Sequence, residues 1–224
     1  MTLHSASMQL FKFALTCALV TSTAWSLALA EIKTVEMADL KAMSEAGRDR
    51  EVLRNADKVP ASKRTTEWES YVTKSAKAFL KDVNDEDRSW TFDIGKALAA
   101  ENPHLLKDQD FAYEVGFAGV RASSSKAVST PFFVAALKPS DPRCKVSEVQ
   151  DSVTDAFTRE GFEKEKQAAK KIAFDLCRKE LSADWIQKLV ENDEGLKTGC
   201  AELMKLGKLK GVKAAKCKNM AKGS

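Results

Sequence analysis

Four cysteines, Cys144, Cys177, Cys200 and Cys217, lie in the C-terminal part of the chain, and the stretch from Glu31 to Arg143 has none. The fifth, Cys17, falls in an N-terminal segment that reads as a removable leader. Met1 to Lys12 carries Lys12 and no acid, Phe13 to Leu27 is uncharged, and Ala28-Leu29-Ala30 places small residues at both positions a signal peptidase reads. A run of about 15 apolar or small residues falls short of the roughly 20 needed to span a bilayer. Residues 1–30 are therefore expected to be a cleavable signal peptide, with Glu31 first in the mature chain. Thr16 stands where a lipoprotein cleavage site wants Gly or Ala, which argues against lipid anchoring at Cys17.

An even number of mature cysteines in an exported chain argues for two disulfides, with three connectivities open. Seventeen residues of unbroken helix would hold Cys200 and Cys217 about 25 Å apart, against the 4 to 7 Å a bridge needs. That bond requires a turn, which Gly207 and Gly211 are placed to supply. The pairing favoured from the sequence is Cys177 with Cys200 and Cys144 with Cys217. Metal binding lacks short Cys-x-x-Cys pairs and has His104 as its one mature imidazole, so neither a metal nor another cofactor is expected.

Charged residues make up 30% of the 224 and hydrophobic ones 44%. This excludes a multi-pass membrane protein, a low-complexity chain and a wholly disordered one, and no later stretch reaches 18 consecutive apolar residues. Glu31 to Lys138 holds 17 basic and 18 acidic residues, whereas Cys144 to Ser224 holds 17 basic and 13 acidic. Between them Pro139-Ser140-Asp141-Pro142 would end a helix or a central strand. The expected organisation is a cysteine-free helical subdomain over 31–138, a junction over 139–143, and a disulfide-stapled helical subdomain over 144–224.

Helical periodicity dominates. Trp68, Tyr71, Val72, Ala76, Phe79, Leu80 and Val83 recur at spacings of three and four, behind a Thr66-x-x-Glu69 capping pattern. Ile32, Val35, Leu40 and Met43 predict an earlier helix, with Val59 to Ser62 as the turn between. A further helix is expected over Asp93 to Ala100. Later stripes are Val146, Val149, Val153 and Phe157, then Ala169, Ile172, Ala173, Leu176 and Cys177, then Trp185, Ile186, Leu189 and Val190 with Ser182 as N-cap. Phe111, Tyr113, Val115 and Phe117 alternate as a strand would, so a hairpin over 111–137 is the competing reading. Thr130-Pro131 is a helix start, with Thr at N-cap and Pro at N1, and helix is preferred. The fold class is thus mainly α, bundle-like, with α+β as the alternative.

Motifs for chemistry are sparse. Ser123-x-x-Lys126 and Lys197-Thr198-Gly199 match two elements of the penicillin-binding set, but the third is missing and Lys197 precedes a helical pattern where a strand is required. A polar loop and a helix-end turn are expected instead. Asp82, Asn84, Glu86 and Asp93 have the spacing of a calcium loop, yet Asp87 stands where the turn needs glycine. Glu191 to Glu194 reads as a solvated loop. Trp68, Trp90 and Trp185 read as core or half-buried packing residues.

The unusual feature is the C-terminus. Lys205, Lys208, Lys210, Lys213, Lys216, Lys218 and Lys222 occupy the last twenty residues with no acid among them. At 100° per residue they spread around a whole helix circumference, and Gly207 and Gly211 would each cost about 1 kcal/mol within a helix. A flexible cationic segment tethered at Cys217 is expected, able to contact anionic polymer or lipid head groups. Nucleic acid is disfavoured, because export removes the opportunity and no aromatics interleave with these lysines.

The leading expectation is an exported, non-catalytic binding or structural protein, periplasmic or secreted. Its basic C-terminus would contact an anionic envelope polymer, lipid head groups or another envelope protein. The competing expectation is a small hydrolase using paired carboxylates, or His104, in a cleft between the subdomains.

Overall fold

The computed structural model describes residues 34–86 and 88–222, leaving side chains aside for 84–89 and 222. The proposed leader lies outside these residues. The described residues are 80% helical, with no strand among them, so the hairpin reading of 111–137 gives way to helix. Eleven α-helices follow in order: α1 Met37–Glu45, α2 Asp49–Asn55, α3 Thr66–Glu86, α4 Arg88–Glu101, α5 Gln109–Ala122, α6 Thr130–Ala136, α7 Ser147–Thr158, α8 Glu163–Lys170, α9 Ala183–Leu189, α10 Asp193–Lys205 and α11 Gly211–Lys222. Among the described residues, no helix is long and apolar enough to cross a membrane.

Two apolar clusters organise the packing. The first gathers Leu40, Val52, Trp68, Val72, Ala76, Leu80, Phe92 and Leu105 around one face of α3, closed by Phe111, Val115 and Ala118 of α5. Trp68 anchors α3 by donating its indole N–H to the Ala56 carbonyl at 3.1 Å. The N-cap of α3 falls one residue earlier than the sequence pattern predicts, at Thr65, whose carbonyl accepts from the Glu69 N–H. Asp108 caps α5 by accepting from the N–H groups of Asp110 and Phe111, which fixes this segment as a helix despite its alternation.

The second cluster centres on α7, whose Val149, Val153, Ala156 and Phe157 meet Ala169, Ile172, Ala173, Trp185, Leu189, Leu196 and Leu203. Phe133 and Leu137, which precede Pro139, belong to it as well. Thr130 is the first residue of α6 and Ser129 its N-cap, one position earlier than Thr130-Pro131 implies. Beyond α8 the backbone loosens into a π-helical turn over Lys171–Leu176, and the Cys177 N–H donates to the Ile172 carbonyl at 2.7 Å. As expected, Ser182 caps α9, accepting from the Trp185 N–H.

The disulfides are Cys144–Cys177 and Cys200–Cys217, with Cα separations of 5.5 and 5.6 Å. Both pairs of the favoured connectivity are overturned. The Ser140 N–H donates to the Leu176 carbonyl at 2.8 Å, which lays the junction along the end of the π-helical turn and brings Cys144 beside Cys177. Asp141 holds that junction, accepting from the Lys138 and Arg143 N–H groups and pairing with the Arg143 guanidinium at 2.9 Å. The Arg143 interaction, with these backbone bonds, brings the Asp141 carboxyl down to about 2.

Trp90 departs from its expected role, being 66% exposed, whereas Trp68 and Trp185 are buried. The Glu191 to Glu194 segment is also more than a solvated loop. Asn192 caps α10 by accepting from the Gly195 N–H, and Glu194 reaches back to Lys166, which is 4% exposed and also bonds Glu163. Lys166 pulls the Glu194 carboxyl below its ordinary range.

Candidate anion-binding site

The glycines that weigh against helix in the sequence serve here as punctuation. Gly207 adopts φ 63° just past the end of α10. Its N–H donates to Met204, and that of Lys208 to Leu203, which together close a Schellman turn. Gly211, at φ 58°, opens α11. Each glycine therefore occupies a position a Cβ would strain, and neither interrupts a helix. This turn folds α11 back onto α10 and lets Cys217 reach Cys200. Residues 211–222 are accordingly a stapled helix where a flexible segment was expected.

Between the two glycines, Leu209 is buried in the second cluster and is flanked by Lys208 and Lys210. Four residues before the buried Cys217 stands Lys213, so both side chains share the face that α11 turns to the body. Lys208, Lys210 and Lys213 converge on a cavity of about 550 Å³. Its wall is supplied by Ile186 and Gln187 of α9, then Val190 and Leu206. No carboxylate lines it. The Lys213 Nζ is buried and without a hydrogen-bond partner. A buried ammonium lacking a counter-charge is costly, since it has given up water for nothing in return.

The other lysines of the segment are placed differently. Lys205 pairs with Glu202 at 3.0 Å, and Lys216 with Asp193. Lys218 borders a separate, largely apolar groove with Lys197, Met204 and Met220. The Lys222 side chain lies outside the described residues. Three of the seven lysines thus share one cavity, a grouping invisible to a scan for charge runs. Its signal in the sequence is the register of Lys213 against Cys217.

A second polar groove, of about 570 Å³, contains His104 with Glu69, Lys74, Lys77, Lys107 and Asp108. Here the cations meet carboxylates: Lys77 lies 3.3 Å from both Asp108 and Asp110, and Lys107 4.0 Å from Glu69. The His104 ring packs 5.1 Å from that of Trp68, and burial pushes its imidazole below the ordinary range. Its Nε2 is buried and unpartnered.

The remaining motifs find structural roles. Lys126 pairs with Asp151 at 2.6 Å, and Ser123 is merely the C-cap of α5. Lys197-Thr198-Gly199 lies within α10, where Gly199 packs on Phe157. The carboxylate the sequence had no means of locating is Glu114, raised by burial and by Asp110 one turn before it. Of the calcium-loop pattern, Asp82 and Asp93 are exposed, while the side chains of Asn84, Glu86 and Asp87 lie outside the described residues. Among the described residues, no group of three or more His, Cys, Asp or Glu is placed to hold a metal ion.

No protein-family model, no curated protein and no solved structure matches this chain.

Proposed function

We propose that this is an exported, non-catalytic binding protein of the cell envelope or extracellular space, which engages an anionic polymer or lipid surface through its lysine-bearing C-terminal segment. Two disulfides suit an oxidising compartment and support export. The observation that carries the reading is the cavity of Lys208, Lys210 and Lys213, three cations with no carboxylate among them. In the His104 groove, Lys77 and Lys107 already have carboxylate partners and offer less to an incoming anion. A surface that leaves its cations unmatched attracts anions, and the attraction weakens as salt screens it.

The test is co-sedimentation of the oxidised protein with phosphatidylglycerol-containing vesicles and with anionic envelope polysaccharide, at low and high salt, against neutral phosphatidylcholine vesicles. Binding that is salt-sensitive and lost in the triple variant Lys208→Met, Lys210→Met, Lys213→Met supports the proposal. Absence of binding to every anionic target at low salt overturns it.

A further inference from the structure

We infer that the cavity between α9 and the start of α11 is a specific pocket for a phosphate group, with the Lys213 ammonium as the recognising charge and Lys208 and Lys210 as its outer arms. This deepens the reading of the C-terminal segment as the binding element and rests on it.

Four features converge. First, the Lys213 Nζ is shielded from solvent and has no partner, so its charge is unmet in the free protein, and the side chain, which lines the cavity, has only to turn its end outward to meet an arriving anion. Second, three lysines line one cavity without an acid. A single carboxylate would leave most of that charge unmet, whereas a phosphate brings up to two negative charges and three acceptor oxygens, the stoichiometry three lysines can share. Third, α11 begins beside the cavity, with Lys210 immediately before it and Lys213 in its first turn. Over twelve residues its dipole adds positive potential at that end, and its first N–H groups have no intrahelical acceptor. Fourth, Ile186 and Val190 on the α9 side, with Leu206 and Leu209 beside the lysines, give the cavity apolar lining. That lining keeps the local dielectric low, which strengthens the charge contact, and accepts the carbon skeleton to which a phosphate is attached.

The shared chemistry is a phosphate, whether free, on a sugar, or in a lipid head group. The oxidised full chain is titrated by calorimetry at physiological salt with inorganic phosphate and, separately, with soluble dihexanoyl phosphatidate, alongside the vesicle assay above. Saturable one-to-one binding is expected, weakened about tenfold or more in Lys213→Met, retained in Lys213→Arg, and unchanged in Lys205→Met, whose ammonium is exposed and already paired. Binding of both probes assigns the site to phosphate itself, and binding of phosphatidate alone assigns it to the lipid head group. The pocket is ruled out if neither probe saturates, or if Lys213→Met and Lys205→Met weaken binding alike. Salt-sensitive vesicle binding without either soluble probe would leave the electrostatic surface standing and remove the pocket. Soluble-probe binding through Lys213 without any vesicle or polymer binding would do the reverse.

Discussion

In the first cluster, the 21-residue α3 and the two 14-residue helices α4 and α5 lie against one another and contain no cysteine. In the second, α8 has 8 residues and α9 only 7, and the backbone passes through a π-helical turn before reaching Cys177. Helices this short are not stable by propensity, because each must repay a costly nucleus with few hydrogen bonds. The long helices close a cysteine-free core by apolar packing, with the Trp68 bond to Ala56 as an anchor. The second region adds two disulfides, Cys144–Cys177 from the turn before α7 to the end of the π-helical turn and Cys200–Cys217 from α10 to α11, and the Lys166–Glu194 pair ties α8 to α10. The same contrast extends to charge. In the first region Lys63, Lys77 and Lys107 have carboxylates in reach, whereas the end of the second region leaves Lys213 without one.

This contrast breaks most readily at the disulfides. Replacing Cys144 and Cys177 by Ala opens a loop of 33 residues. The loss expected from chain entropy is about 3 to 4 kcal/mol in urea unfolding. Hydrogen exchange should show the loss in α7 to α9 while α3 to α5 stay protected. Equal loosening of both regions would show that the two clusters form one cooperative unit. Removing Cys200 and Cys217 should instead release α11 alone, seen as rapid proteolysis between Gly207 and Gly211 with the remainder intact.

The buried pair comes next. Glu194→Gln leaves Lys166 with only the exposed Glu163, and a loss of about 3 kcal/mol in the free energy of unfolding is expected from urea titration. A smaller effect attaches to the junction. Asp141 has its carboxyl near 2 in the folded protein, against an ordinary value of 3.8. The group is depressed on folding, so its contribution is present above about pH 4 and lost as pH falls toward 2, amounting to about 2 kcal/mol. Thermal melts across that window should steepen in the wild type relative to Asp141→Asn, and parallel curves would remove Asp141 as the cause. Smaller still is Lys213→Met, which should stabilise the ligand-free protein by about 1 kcal/mol because it deletes an unmet buried charge. Lys205→Met should move stability by less than about 0.5 kcal/mol. If Lys213→Met destabilises as much as a core substitution, its ammonium has a stabilising partner in the folded protein and the charge is not unmet.

Much of this fold was legible in the sequence. The stripe from Trp68 to Val83, the cap at Ser182 and the seam through Val149, Val153 and Phe157 are all found as the 3.6-residue period predicts. Two strong local signals proved ambiguous. The alternation at Phe111 to Phe117 looks like a strand, and the cap at Asp108 with burial on two sides of α5 makes it a helix. Gly207 and Gly211 look like helix breakers, and they are, but they break the chain at the one place that lets α11 return.

The sequence by itself determined the fold class, because periodicity and caps act between residues three or four apart. Only the tertiary structure decided the disulfide partners and the lysine cavity. Cys144 meets Cys177 because a π-helical turn and the Ser140 bond to Leu176 set the junction alongside, a matter of distance through space rather than along the chain. Lys213 becomes distinct from the other described lysines of the segment because the staple at Cys217 turns its helix face toward the body, where its Nζ is shielded from water and meets no partner.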